Sequence, residues 1–343
     1  MKPMDLGAAR ASTSLPAALG QRIEPTPEAK PLLKVEELSL SRGESLILDN
    51  VTFSLRRGGT LGLLGESGAG KSTIALTLIG LLRKPEVGLS GTIELDGAGN
   101  VAEAGEDAWL KLRGRRVAMI FQDASAALNP CFTIGRQLMT PLRRVMGLSR
   151  SAARARAIEL LESVGLNDAP SRLSAYPHQL SGGMQQRVMI AIALSSNPDL
   201  LLADEPTSAL DVTIQAQIIR LILEETRRRS SSCIFVLHDL ALASQCCDDI
   251  VVLYGGQVME TGPSRIVLEA PMHPYTAALK GCVLEFDTEE LKPLPSGAPS
   301  FASKTPGCRF APRCTRTLEK CAASKPPLAD VRGRKLACWN PLT

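Results

Sequence analysis

The sequence predicts an α/β fold in which short buried strands of a largely parallel sheet alternate with helices. Three observations predict it. Four apolar runs, Thr60 to Leu64, Val117 to Phe121, Leu200 to Ala203 and Cys233 to Leu237, have the length of strands buried on both faces, and each leads into polar residues. Between them lie helical patterns, including Ile74 to Leu82 and Ser151 to Val164, the second stopped by Gly165 where a helix C-cap favours glycine. Ahead of both, residues 32–59 alternate apolar and polar positions, broken by Arg42-Gly43 and Gly58-Gly59, as antiparallel strands with one wet face do. In such a sheet the chemistry belongs to the loops at the strand C-terminal ends.

The flanking elements follow in order. Met1 to Pro31 mixes Ala, Ser and Pro with scattered charges and lacks the continuous apolar stretch of a secretory signal, so it reads as a flexible tail on a cytoplasmic protein. No apolar run approaches the roughly 18 residues that mark a membrane span. Asp249 to Gly262 reads as a hairpin turning at Gly255-Gly256. Beyond Pro263 periodicity weakens and proline becomes frequent from Pro271 onward, which places the end of the main domain between residues 270 and 285. The hydrophobic fraction of 44% suits a sizeable core, and 39 basic against 35 acidic side chains leave no concentrated basic stripe for nucleic acid. Of nine cysteines, five are scattered, while Cys308, Cys314, Cys321 and Cys338 crowd into the end of the chain. In a reducing compartment such a cluster points to metal binding before disulfides.

Three short segments carry chemistry. Gly65-Glu66-Ser67-Gly68-Ala69-Gly70-Lys71-Ser72-Thr73 fits the G-x-x-x-x-G-K-[ST] pattern and stands between an apolar strand and a helix. Its glycines let the backbone curl so that N–H groups face phosphates, Lys71 reaches the β and γ phosphates, and Ser72 is placed to coordinate magnesium. The strand Leu200 to Ala203 ends in Asp204, suited to hold the metal, and Glu205, suited to orient and deprotonate an attacking water. His238 closes the strand Cys233 to Leu237, where an imidazole can sense a γ-phosphate. A glycine turn, two solvated acids or a structural histidine would explain each piece alone. Their order on successive strands explains them together, as a magnesium-dependent nucleoside triphosphate hydrolase.

Leu180-Ser181-Gly182-Gly183-Met184-Gln185-Gln186-Arg187 resembles the LSGGQ signature of ABC-type ATPases. That resemblance implies an ABC-type P-loop NTPase with an antiparallel β subdomain and a helical subdomain at about residues 123–180. It makes Gln122 the Q-loop residue, a further ligand for magnesium, and Ser208-Ala209-Leu210-Asp211 the D-loop, with Asp211 at the nucleotide. His238 becomes the switch histidine. It also implies that Ser181, Gly182 and Gly183 face ATP held by a second subunit, so that two nucleotides are sandwiched in a head-to-tail dimer. The family's usual aromatic residue for stacking on adenine is replaced here by Arg42, whose guanidinium plane can also stack on a base.

Two further stretches, Ala175 to Leu180 around His178 and Ala270 to Thr276 around His273, resemble the oligopeptide/dipeptide importer branch, which also includes nickel and glutathione systems. The resemblance gives both histidines structural rather than catalytic roles. It covers the C-terminal spacing C-x5-C-x6-C-x16-C and implies a four-iron four-sulfur cluster at Cys308, Cys314, Cys321 and Cys338, with zinc or free thiols as the alternatives. The expected organisation is a tail at 1–31, a nucleotide-binding domain at 32–275 and an irregular Cys-rich extension at 276–343. The expected function is an ATP-hydrolysing importer subunit at the cytoplasmic face of the inner membrane. Its expected partners are a second ATPase, favoured as a different homologous chain, two transmembrane permease subunits and, indirectly, an extracytoplasmic solute-binding protein. A soluble ABC ATPase acting outside transport and an iron-sulfur regulatory protein are the alternatives from other classes.

Overall fold

The computed structural model describes residues 30–207, 212–282 and 306–343. Most of the expected N-terminal tail, the D-loop with Asp211, and residues 283–305 of the extension lie outside the described residues. The strands are β1 (Leu33–Arg42), β2 (Ser45–Leu55), β3 (Thr60–Leu64), β4 (Gly88–Leu95), β5 (Gly99–Asn100), β6 (Val117–Ile120), β7 (Leu200–Asp204), β8 (Ser232–Val236), β9 (Asp249–Tyr254), β10 (Gln257–Pro263), β11 (Ala329–Val331) and β12 (Arg334–Leu336). They form a four-stranded sheet ordered β2-β1-β4-β5 and an eight-stranded sheet ordered β11-β12-β10-β9-β3-β8-β7-β6. In the larger sheet β6, β7, β8, β3 and β9 run parallel, while β10 and β12 continue it antiparallel.

Side-chain alternation explains why this sheet must be covered twice. Along β7, Leu200 and Leu202 enter the core shared with the antiparallel sheet, whereas Leu201 and Ala203 enter the core shared with the helices. Val117 and Met119 against Ala118 and Ile120, and Ile234 and Val236 against Cys233 and Phe235, divide the same way. A strand that is apolar at every position therefore feeds two cores, and its polar residues can appear only at its ends. The helical region contains Ile134–Arg144, capped by Thr133, and Arg150–Ser163, capped by Ser149. Among the described residues no helix is long and apolar enough to cross a membrane.

The C-terminal segment is more ordered than its proline-rich texture suggests. β11 and β12 pair with each other and β12 pairs with β10, so residues from the extension complete the edge of the nucleotide-side sheet. Arg334 donates to Glu260 at 2.9 Å with both side chains almost fully buried. The same carboxylate accepts the amides of Met272 and His273, which gives the buried charge the several donors it requires. His273 in turn caps the helix Pro274–Gly281 by accepting from the Tyr275 amide at 3.0 Å. Burial pushes its pKa down to about 3, so it is a neutral capping group.

Candidate nucleotide site

The phosphate-binding loop begins where β3 ends. Gly65 adopts a positive φ of 146°, and a Cβ there would stand 2.2 Å from the Leu253 carbonyl oxygen, so only glycine lets β3 leave the sheet beside β9. The loop ends at Gly70, which starts the helix Lys71–Leu78 without any side-chain cap. Its first amides are thus left for an anion. The Gly255-Gly256 turn supports the loop from below, with the Gly256 amide donating to the Ala69 carbonyl at 3.0 Å.

Six predicted residues from four separate parts of the chain meet above this loop. Lys71, Ser72, Gln122, Glu205 and His238 line a cavity of about 570 Å³, together with Ser67, Gly68, Gly70 and Thr73. Asp204 reaches its floor by accepting a hydrogen bond from the Ser72 hydroxyl at 2.9 Å. Glu205 accepts from Gln122 Nε2 at 2.8 Å and contacts His238 Nε2 closely, while His238 Nδ1 lies 3.4 Å from Lys71 Nζ. Glu205 has a φ of 45°, a left-handed conformation uncommon for a residue with a side chain. That turn aims its carboxylate back across the cavity, and such local strain concentrates at functional sites.

The electrostatics suit a polyanion with a hard cation. Lys71 donates to the carbonyls of Gly65 and Glu66 at 2.8 and 2.9 Å, and burial lowers its pKa to about 8 against the opposing pull of Glu205, Asp204 and Glu66. Burial also raises the pKa of Asp204, although the Ser72 hydroxyl bonds its charged form. A lysine and a carboxylate that burial pushes toward their neutral forms are what phosphates and a magnesium ion would satisfy. The Ser72 and Asp204 oxygens already converge, a donor pair of the kind magnesium prefers.

Two expected contributors stand apart. Ser181 caps the helix Gly182–Leu194 through the Met184 amide, but Ser181, Gly182 and Gly183 do not line the cavity, and among the described residues a Cβ at either glycine would meet nothing within 4 Å. Arg42 is exposed at the end of β1 and does not line the cavity either. Ile47, on β2, does. Sequence reading missed Ile47 because a half-buried aliphatic on an alternating strand gives no chemical signal.

The four C-terminal cysteines are neighbours without forming an assembled cage. Among the described residues no group of three or more His, Cys, Asp or Glu is arranged to hold a metal ion. Burial pushes the Cys308 thiol up to about 11, and Cys321 and Cys338 push it further in the same direction. Burial likewise raises Cys314 and Cys338. Opposing this, the Arg316 amide donates to Cys314 Sγ and the Leu318 amide to Cys321 Sγ, both at 3.4 Å. Amides of Phe310 and Ala311 serve Cys308, and that of Asn340 serves Cys338. Every sulfur therefore has a backbone donor, the second-layer feature that stabilises ligating thiolates.

The sequence profile of the ABC transporter family matches residues 48–208, and that of the oligopeptide/dipeptide transporter C-terminal region matches residues 259–321. The chain is 43% identical over 318 residues to the dipeptide transport ATP-binding protein of Escherichia coli, covering 91% of this chain and 97% of that one. It is 40% identical over 296 residues to an oligopeptide transport ATP-binding protein of Bacillus subtilis, covering 85% and 90%. Among solved structures, a dimeric ATP-binding cassette in a post-hydrolysis state bound to ADP and Pi superposes with a TM-score of 0.60 at 29% identity, over 68% of this chain and 99% of that one. The subunit cbiO1 of a Clostridium perfringens ABC transporter complex gives a TM-score of 0.61 at 28% identity, over 70% and 91%.

Proposed function

The chain belongs to the ATP-binding proteins of ABC transporters, in the oligopeptide/dipeptide branch, and from that membership we propose that it hydrolyses ATP to energise peptide uptake through membrane-embedded partners. The observation that carries the reading is the meeting of Lys71, Ser72, Gln122, Asp204, Glu205 and His238 around one cavity in a chain matched to peptide transport ATPases over nine-tenths of its length. Lys71 and the free amides of the Gly65 to Thr73 loop receive the phosphates, while the amides of Glu66 and Ala69, bonded to the Tyr275 hydroxyl and the Glu66 carbonyl, hold the loop in shape. Ser72, Gln122 and Asp204 would hold magnesium, whose charge would offset that of the phosphates. Glu205 takes the proton from the attacking water, and His238 and Gln122, both in contact with it, fix its direction. Ser181, Gly182 and Gly183, with Asp211, serve the nucleotide bound by a second ATPase, favoured as a different homologous chain. Two transmembrane subunits at the cytoplasmic face of the inner membrane, and a solute-binding protein beyond them, complete the assembly.

The C-terminal cysteines are assigned to a four-iron four-sulfur cluster on the chemistry of the donor set: four thiols, each with a backbone donor. When bound, such a group would tie together the four cysteine-bearing stretches of the extension, one of them the helix Glu319–Ala323. Anaerobic purification should give absorbance near 400 nm, with iron and sulfide at about four each per chain; one zinc per chain, or neither metal, overturns the assignment. For transport, the chain is co-expressed with its permease and second ATPase partners and placed in liposomes with the receptor. ATP turnover should rise with a peptide-loaded receptor. A rise with nickel or glutathione and none with peptides would reassign the solute, and no membrane partner at all would refute a transport role.

A further inference from the structure

The phosphate-binding loop is gripped by the Cys-rich segment. Arg313, in the short turn Ala311–Arg313 between Cys308 and Cys314, makes a two-point ion pair with Glu66, at 2.7 Å to Oε2 and 3.0 Å to Oε1. Its side chain is 7% exposed, and it also donates to the Tyr254 hydroxyl at 3.1 Å. Glu66 is held at each of its polar groups. Its amide donates to the Tyr275 hydroxyl at 2.9 Å, and its carbonyl accepts from Lys71 Nζ at 2.9 Å. Tyr254, Tyr275 and Phe310 pack edge-on or tilted beneath this contact, with ring centres 4.8 to 5.2 Å apart. A second strut runs parallel to the first. Arg309 donates to the Gly255 carbonyl, in the turn whose next residue holds Ala69 of the loop.

We propose that Arg313 is a positioning residue for ATP binding, through which the four-cysteine segment braces the phosphate loop and passes its own state of order to the nucleotide site. The proposal rests on the reading of the Gly65 to Thr73 loop as the phosphate cradle. Two parallel charge-assisted bonds fix Glu66 in distance and angle, which a single contact would not. Turning the 311–313 segment, as release of Cys308 or Cys314 from their packing would do, moves the guanidinium. Glu66, whose carbonyl orients Lys71, then loses its side-chain anchor and is left with its backbone bonds alone.

The test measures MgATP affinity of the full-length chain by displacement of a fluorescent ATP analogue, together with a thermal unfolding midpoint for each variant. Arg313→Met and Glu66→Gln should each weaken affinity about tenfold, equivalent to about 1.4 kcal/mol. The double variant should be no weaker than Arg313→Met alone, because that variant already removes the whole contact. Arg313→Lys, keeping charge without the fork, should fall between. Cys314→Ser should lower affinity in the wild type but have no effect in the Arg313→Met background. Lys71→Ala is the reference. If it abolishes binding while folded Arg313→Met or Glu66→Gln binds within twofold of wild type, the brace is refuted and the cradle stands. Losses that multiply in the double variant also refute the brace. Undiminished binding by Lys71→Ala overturns both. Should Arg313→Met not fold, Glu66→Gln lies on the other side of the same contact and decides the matter alone.

Discussion

Two helices of this chain begin with glycine-rich turns whose amides are free for an anion, and they are furnished very differently. The helix Lys71–Leu78 opens into a walled cavity, with a lysine, two carboxylates, a glutamine and a histidine around it. The helix Gly182–Leu194 has Ser181 as its cap, and among the described residues nothing lies within 4 Å of a Cβ at either of its glycines. The first arrangement brings basic, acidic and amide groups around one cavity. The second has the bare backbone of a phosphate site and no chemistry. On the function proposed above, a chain carrying one of each would be half of two sites, the other halves coming from a second cassette.

That comparison can be broken at its strongest point first. Glu205→Gln should lower ATP turnover of the assembled complex by about a thousandfold while leaving MgATP bound, since it removes the base and spares the cradle. Retained turnover, measured by phosphate release, would remove Glu205 from the chemistry. Gly183→Val should cost about a hundredfold in turnover of the complex, on the scale of a lost transition-state donor, with MgATP affinity of the isolated chain unchanged. Among the described residues nothing lies within 4 Å of a Cβ at Gly183, so such a loss would point to contact with another molecule. Full turnover in the valine variant would mean that no partner approaches this turn.

Weaker effects sharpen the picture. Because Lys71 in the free chain titrates at about 8, it must take up a proton to meet the phosphates in alkaline solution. MgATP affinity of the isolated chain should therefore be flat below pH 8 and fall by up to about tenfold per pH unit above it. A flat profile to pH 9.5 in a titration series would contradict a neutral lysine in the free cradle. Smallest of all, Ile47→Ala should weaken nucleotide affinity about threefold through lost apolar contact, and Arg42→Ala by less. The reverse order would return base stacking to Arg42.

Much of the frame was legible in the residues themselves. Thr60 to Leu64 is a strand with those same bounds, and Leu200 to Ala203 and Cys233 to Leu237 differ from the observed strands by single end residues. Runs that are apolar on both faces are unambiguous signals. The helix expected at Ile74 to Leu82 instead starts at Lys71 and stops at Leu78, because the loop's glycines, rather than apolar periodicity, set its start. The extension's β11 and β12 were hidden by their length: three-residue strands carry little apolar pattern, and theirs is fixed by the pairing of β12 with β10 and of β11 with β12. Arg313 was equally invisible, since nothing adjacent in sequence marks it as a partner of Glu66, 247 positions away.

By itself, then, the sequence determined which groups could do chemistry and on which strand ends they stand, because glycine geometry, buried strands and their polar termini are local consequences of residue type. Tertiary structure alone decided how those groups meet: that Glu205 turns back toward Gln122 and His238, that Ile47 rather than Arg42 borders the cavity, and that a cysteine-rich tail holds the phosphate loop. Such contacts join residues far apart in the chain, and their geometry follows from packing two cores against one sheet, which no local pattern encodes.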